Sequence, residues 1–181
     1  ARYRKIGRVY QNPALGTCPN LTMLENLSLA DNKGRRFGLT RGVNFKRRDY
    51  YRDQLAALGL GLESKLDVKL GSLSGGQRQA VALVMATLTP IDFLILDEHT
   101  AALDPKTAEI IMQLTDRIVK EKQLTAIMVT HNLRYAVEYG SRLLMMDKGQ
   151  VILDKSAEEK KTVTVDTLLH LFNKISIECG N

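Results

Sequence analysis

The stretch from Ile91 to Thr130 constrains the fold more than any other part of the chain. Ile91 to Leu96 is a short apolar run that ends in Asp97-Glu98. Thr107 to Lys122 places Ile110, Ile111, Leu114, Ile118 and Val119 on one side of a helix, and Leu124 to Thr130 is a second apolar run. Short apolar runs bounded by turn signals read as buried parallel strands, and the spacing between them as an amphipathic helix. Strand, helix, strand over this length is a βαβ crossover, which predicts an α/β fold with a parallel sheet and a right-handed connection.

The chain has 181 residues, the length of one domain or of one domain with a small insert. With 44% hydrophobic and 25% charged residues it has the balance of an ordinary globule, which excludes a disordered or membrane-spanning chain. Its longest near-continuous apolar run, Ala80 to Ala86, is far short of the ~20 residues a transmembrane helix needs. Ala1 to Tyr10 is basic and mixed and shows no signal peptide. Cys18 and Cys179 form neither a metal spacing nor a disulfide framework, which fits a reducing compartment. Charge is uneven: residues 1–52 hold 12 Lys/Arg against 3 Asp/Glu, and the remainder 14 against 17. A basic leading third suits nucleic acid, a membrane surface, an acidic partner or a solvated face.

Elsewhere the pattern is mostly helical. Ile6 to Tyr10 reads as a short strand running into the turn Gln11-Asn12-Pro13. Thr22 and Glu25 match a capping box ahead of Leu24 and Leu27. Asp31 to Asn44 reads as a loop, and Lys46 to Leu58 as a helix with Tyr50, Leu55 and Leu58 on one side. Residues 14–85 contain no convincing strand. Arg142 to Met146, Asp147-Lys148-Gly149 and Gln150 to Leu153 predict a hairpin. Lys155 to Lys161 reads as a charged loop and Asp166 to Lys174 as a closing helix.

Three places carry chemistry. Leu73-Ser74-Gly75-Gly76-Gln77 opens a helix, with Ser74 as N-cap and Gln77 at the capping-box position. Two glycines there leave backbone N–H groups open to an anion, which the helix dipole favours; the less favoured alternative for the motif alone is a plain loop-to-helix turn. Asp97 and Glu98 stand at the C-terminal end of a strand, where open α/β sheets bind ligands. The first can hold Mg²⁺ through water and the second can orient or deprotonate a water; the bland alternative is a solvated acidic turn. His131 closes the next strand, so a parallel neighbour puts it on the same sheet edge. A lone strand-end histidine is more often structural.

The ordered set Gln11, Leu73 to Gln77, Asp97-Glu98, Ala102-Leu103-Asp104 and His131 strongly resembles the ATP-binding-cassette ATPase family over nearly the whole chain. The resemblance implies a RecA-like P-loop NTPase core with an inserted helical subdomain. Residues 1–13 would end the first core segment, 14–85 form the helical subdomain, and 86–181 the second half of the core with its hairpin and helix. By the same resemblance Gln11 contacts Mg²⁺ and the attacking water, Asp97 is the Mg²⁺ ligand and Glu98 the catalytic base. Ser74, Gly75, Gly76 and Gln77 form the signature motif, which closes on ATP held by a second ATPase subunit in a head-to-tail dimer. Asp104 belongs to a segment that crosses between subunits, and His131 contacts the γ-phosphate.

The resemblance further implies a peripheral protein on the cytoplasmic face of the cell membrane, paired with a transmembrane permease subunit and served by an extracytoplasmic substrate-binding protein. It is similar to importers with amino acids among the proposed cargo, and leaves no role for nucleic acid. His99 stands where most members place proline; it reads as a tolerated loop residue, the alternative being a contact with the nucleotide edge or with Glu98. Rival readings are a DNA-repair or chromosome-type ATPase of the same family, against which the lack of heptads and Cys pairs between Gln11 and Ser74 argues, and a non-catalytic interaction fragment.

No GxxxxGK[ST] occurs in the sequence; the nearest candidates, Gly34 to Gly38 and Gly71 to Gly76, lack the Lys-Ser/Thr ending. The simplest expectation is the C-terminal portion of a longer ATPase. Such a portion alone would be poorly stable, with unpaired strand edges, and would have negligible MgATP affinity.

Overall fold

The structure, a computed structural model, describes residues 2–35 and 42–178. Part of the expected Asp31–Asn44 loop, at 36–41, and Cys179 lie outside the described residues. The chain divides into two compact units, Ala1–Val129 and Thr130–Asn181.

In the first unit, β1 (Ile6–Val9), β2 (Phe93–Asp97) and β3 (Thr125–Val129) form a parallel sheet in that order. The register pairs Val9 with Leu96 and Asp97 with Val129, so the βαβ expectation holds. The linking helix is α4 (Pro105–Glu121), which starts earlier than expected because Asp104 caps it and Pro105 fits the first turn. The other helices of this unit are α1 (Met23–Asp31), α2 (Arg48–Ala56) and α3 (Gly75–Thr87). They gather a core that includes Met23, Leu27, Tyr51, Leu55, Leu83, Leu94 and Ile111, each fully or almost fully buried. At Gly7 in β1, a Cβ would fall 2.6 Å from the Ala86 carbonyl oxygen and 2.7 Å from Ile91 Cδ1. Only glycine lets α3 lie this close to the strand.

Two expectations for this unit change. β3 is not a buried strand: Ile127 is 54% and Val129 50% exposed. It pairs only with β2 and ends the sheet of described strands, so apolar side chains remain uncovered. In the 46–58 region a 3₁₀ turn, Phe45–Arg47, precedes α2, and the buried aromatic is Tyr51 rather than Tyr50. The Tyr51 hydroxyl donates to Asp31 Oδ2 at 3.0 Å, and Arg47 lies 2.8 Å from the same carboxylate. Burial, and then this carboxylate, push the Tyr51 phenol up to about 12.

The second unit contains α5 (Leu133–Glu138), β4 (Leu143–Asp147), β5 (Gln150–Lys155), α6 (Ala157–Lys160) and α7 (Val165–Glu178). β4 and β5 form the expected antiparallel hairpin, turned by Lys148 at φ 46° and Gly149 at φ 79°, the left-handed pair that two-residue hairpin loops favour. A small core of Leu143, Val163 and Leu168 packs with Leu133 and Leu153. The segment 155–161 is not simply a charged loop, because Ser156 and Glu159 close a capping box that starts α6. No described helix is long and apolar enough to cross a membrane.

Candidate functional site

α3 begins as its sequence predicts. Ser74 is extended at φ −63° and ψ 161°, its Oγ accepts from the Gln77 N–H at 3.3 Å, and Gln77 Oε1 accepts from the Ser74 N–H at 3.3 Å. Ser74 is exposed and Gly75 half-buried, which leaves the cap at the surface. Gly76 is different: it is buried, and a Cβ there would lie 2.1 Å from Thr107 Cγ2. A Cβ on Gly75 would meet Leu103 at an ordinary 3.6 Å. The absent side chain of Gly76 therefore serves packing of α3 on α4, in addition to any approach of a ligand. This contact brings the Ser74–Gln77 turn against the Leu103–Thr107 segment, where Asp104 Oδ1 accepts from the Thr107 N–H at 3.0 Å. Those hydrogen bonds hold the Asp104 carboxyl below its ordinary range.

Two neighbours of this turn were not singled out from sequence. Arg78 Nη1 donates to the carbonyls of Gly71 at 3.1 Å and Leu73 at 3.0 Å, fixing the approach to the cap. Gln79, only 1% exposed, donates through Nε2 to the Tyr10 carbonyl at 3.0 Å. It ties α3 to the backbone just before Gln11. A glutamine facing the core side of an apolar helical run was the available signal, since a buried amide needs partners.

The second group lies at the C-terminal edge of the sheet. Asp97 ends β2, Glu98 follows it, and Gln11 comes two residues after the end of β1 on the adjacent parallel strand. Gln11 is exposed; Asp97 and Glu98 are partly buried. Arg8, one residue from the end of β1, places Nη2 2.8 Å from Asp97 Oδ2 and lies over the Tyr10 ring at 4.4 Å. The Asp97 hydrogen bond pushes the Arg8 guanidinium further up. Arg8 was legible only through strand register, because it and Asp97 stand on the same sheet face of neighbouring strands.

Glu98 adopts φ 44°, the left-handed region that L-residues with a Cβ seldom visit. Its N–H donates to the Val129 carbonyl at 3.0 Å, and its carbonyl accepts from the Ala101 N–H at 2.9 Å. His99 is not the tolerated loop residue expected. It is 2% exposed, with Nε2 3.1 Å from Thr115 Oγ1 in the middle of α4. Burial pushes its imidazole down to about 4 from an ordinary 6.5.

This shift predicts acid sensitivity. The unfolded chain takes up a proton near pH 6.5, the folded chain only near 4. The stability contributed by neutral His99 is thus complete above the unfolded value and lost as pH falls through that window. Urea unfolding should show a loss on the order of 2 kcal/mol between pH 7 and pH 5 that the variant H99L lacks. Equal losses in both proteins would contradict this burial.

His131 opens the second unit, two residues after β3, and is exposed. Among the described residues no three His, Cys, Asp or Glu gather in a way that could hold a metal. The oxygen donors of Asp97 and Gln11 still suit Mg²⁺, which usually takes one or two carboxylates and fills its shell from phosphate and water. The residues present therefore fit that ion in the company of a phosphate ligand, and not as an all-protein cage.

A three-stranded parallel sheet carrying two acids at its C-terminal edge, beside a serine-capped helix packed on the βαβ helix, defines an α/β class whose ligands bind at that edge. The ABC transporter family model matches residues 1–101. The tyrosine transport ATP-binding protein of Clostridioides difficile (strain R20291) is 47% identical over 175 residues, 95% of this chain and 69% of that protein. The dimeric ATP-binding cassette MJ0796, in a post-hydrolysis state bound to ADP and Pi, superposes with TM-score 0.68 at 33% identity, over 84% of this chain and 63% of that one. Structure of cbiO1 from Clostridium perfringens, part of the ABC transporter complex cbiONQ, gives TM-score 0.70 at 26% identity, over 94% of this chain and 63% of that one. The chain belongs to the ABC transporter ATP-binding family. It spans less than two thirds of the two solved cassettes.

Proposed function

We propose that this chain supplies the signature motif, the Mg²⁺-binding acid and the catalytic base of an ABC transporter ATPase that drives uptake of a small solute, with amino acids as the cargo class. The observation that carries this reading is the pairing of two ends: the Ser74-capped start of α3 and the Asp97-Glu98 tip of β2. Similarity to a tyrosine transport ATP-binding protein supports the cargo class, and similarity to a dimeric cassette supports a two-subunit assembly.

In the full-length protein Glu98 takes a proton from the attacking water, and Gln11 orients that water beside it. Asp97, with the Gln11 amide oxygen beside it, would hold Mg²⁺, which when bound would supply charge neutralisation to the phosphates. The phosphate cradle itself is the work of a P-loop, a motif these 181 residues do not contain. From the second copy in a head-to-tail dimer, Ser74 Oγ and the N–H groups of Gly75 and Gly76 meet the γ-phosphate, Gln77 holds the cap in place, and the helix dipole favours the phosphate charge. Asp104 lies at the seam between copies, and His131 donates to the γ-phosphate. Closing and reopening of the dimer moves a transmembrane permease at the cytoplasmic face of the membrane. An extracytoplasmic binding protein delivers the cargo.

Ser74→Arg tests this reading. Hydrogen bonds to a charged phosphate are worth ~1.5–3 kcal/mol each, and the larger side chain also blocks the approach. ATP-driven dimerisation, followed by analytical ultracentrifugation of the full-length protein, should weaken at least tenfold while monomer ATP binding persists. Dimerisation equal to wild type would overturn the assignment of the signature motif.

A further inference from the structure

We propose that His99 is a positioning residue for Glu98: its imidazole, fastened to the middle of α4, fixes the turn that aims the carboxylate. This inference rests on the reading of Glu98 as the base. Glu98 occupies a left-handed conformation at φ 44°, and such a conformation persists only where the surroundings over-determine it. Backbone bonds to Val129 and Ala101 hold one side of the turn, at 3.0 and 2.9 Å. The other side is held by the next residue in the chain.

His99 can hold it because every atom of the tie is assigned. Thr115 Oγ1 donates its single proton to the Ile111 carbonyl at 2.7 Å. It must therefore accept in its 3.1 Å contact with His99, so Nε2 of the ring carries the proton. The ring is 2% and Thr115 3% exposed, so water does not compete for this bond. Thr115 lies in the third turn of a 17-residue helix whose start is capped by Asp104. A rigid element thus fixes the ring, and the ring fixes the backbone adjoining Glu98. A carboxylate that must meet a water within hydrogen-bond reach gains from this stiffness.

Three variants of the full-length protein test the tie. His99→Leu keeps an apolar side chain of similar reach in the buried site and leaves Thr115 bonded to Ile111. His99→Gln restores a donor that can reach Thr115, and Thr115→Val removes the acceptor. H99L and T115V are expected to lower kcat for ATP hydrolysis about tenfold at unchanged KM for ATP. H99Q should recover most of the loss, and H99L/T115V should be no slower than either single change. Wild-type kcat in H99L, or kcat and KM falling away together in proportion to a lowered Tm, or an H99Q as slow as H99L, would overturn the proposal. Glu98→Gln separates it from the reading beneath it. If E98Q still hydrolyses ATP at the wild-type rate, the assignment of the base fails; if E98Q is silent and H99L is wild type, only the positioning role fails.

Discussion

Replacing Glu98 by glutamine in the full-length protein is expected to slow ATP hydrolysis by about 10²–10⁴-fold, the usual contribution of a positioned general base, while ATP still binds. The substitution preserves shape and hydrogen-bonding capacity and removes only the ability to accept a proton as a carboxylate. The backbone bonds to Val129 and Ala101 involve no side-chain atom of residue 98 and remain available in the variant. Single-turnover measurements would therefore show a lost chemical step with nucleotide affinity within a few-fold of wild type. A matched fall in affinity and rate would instead assign Glu98 to binding. An unchanged rate would remove it from the chemistry.

Gly76→Ala is expected to do its damage through packing. Helix propensity alone favours alanine by up to about 1 kcal/mol. The site predicts the opposite sign, because the new Cβ would meet Thr107 Cγ2 at 2.1 Å. Thr107 has little freedom to yield: it is β-branched, and its N–H is committed to Asp104. α3 must therefore move off the first turn of α4, at a cost of about 1–3 kcal/mol. That movement carries Ser74 away from the position its proposed role requires, and ATP-driven dimerisation and hydrolysis should fall by about 100-fold. Thr107→Ser removes the clashing methyl, and the next nearest side-chain carbon, Thr107 Cβ, lies at 3.6 Å. G76A/T107S should recover stability in urea melts and most of the hydrolysis. A G76A protein as stable and active as wild type would show that the contact is not a constraint.

The parts of the molecule that depend on local pattern are legible in the sequence. The βαβ unit followed from two apolar runs and one amphipathic stretch. The caps at Thr22 and Ser74 followed from their spacing to Glu25 and Gln77. The same spacing at Ser156 and Glu159 is masked by the surrounding charges, Lys155 to Lys161, which read as a loop. What stayed hidden depends on tertiary neighbours. The apolar run of β3 predicts a strand but not what covers it, and Ile127 and Val129 are half exposed. Arg8 pairs with an acid 89 positions away, a relation set by register between β1 and β2. His99 looked expendable because its partner, Thr115, is a polar residue on a face of α4 otherwise read as apolar.

The central claim is that Ser74 of one copy and Glu98 of another act on the same ATP. Mixing S74R protein with E98Q protein tests it most directly, since each parent alone has no intact site. In a mixed dimer one site receives Glu98 from the first parent and Ser74 from the second. Equal mixing of freely exchanging subunits should then restore hydrolysis to about a quarter of the wild-type rate, as one site in half of the dimers is whole. A mixture no faster than its two parents would contradict the shared site and place both residues in separate functions.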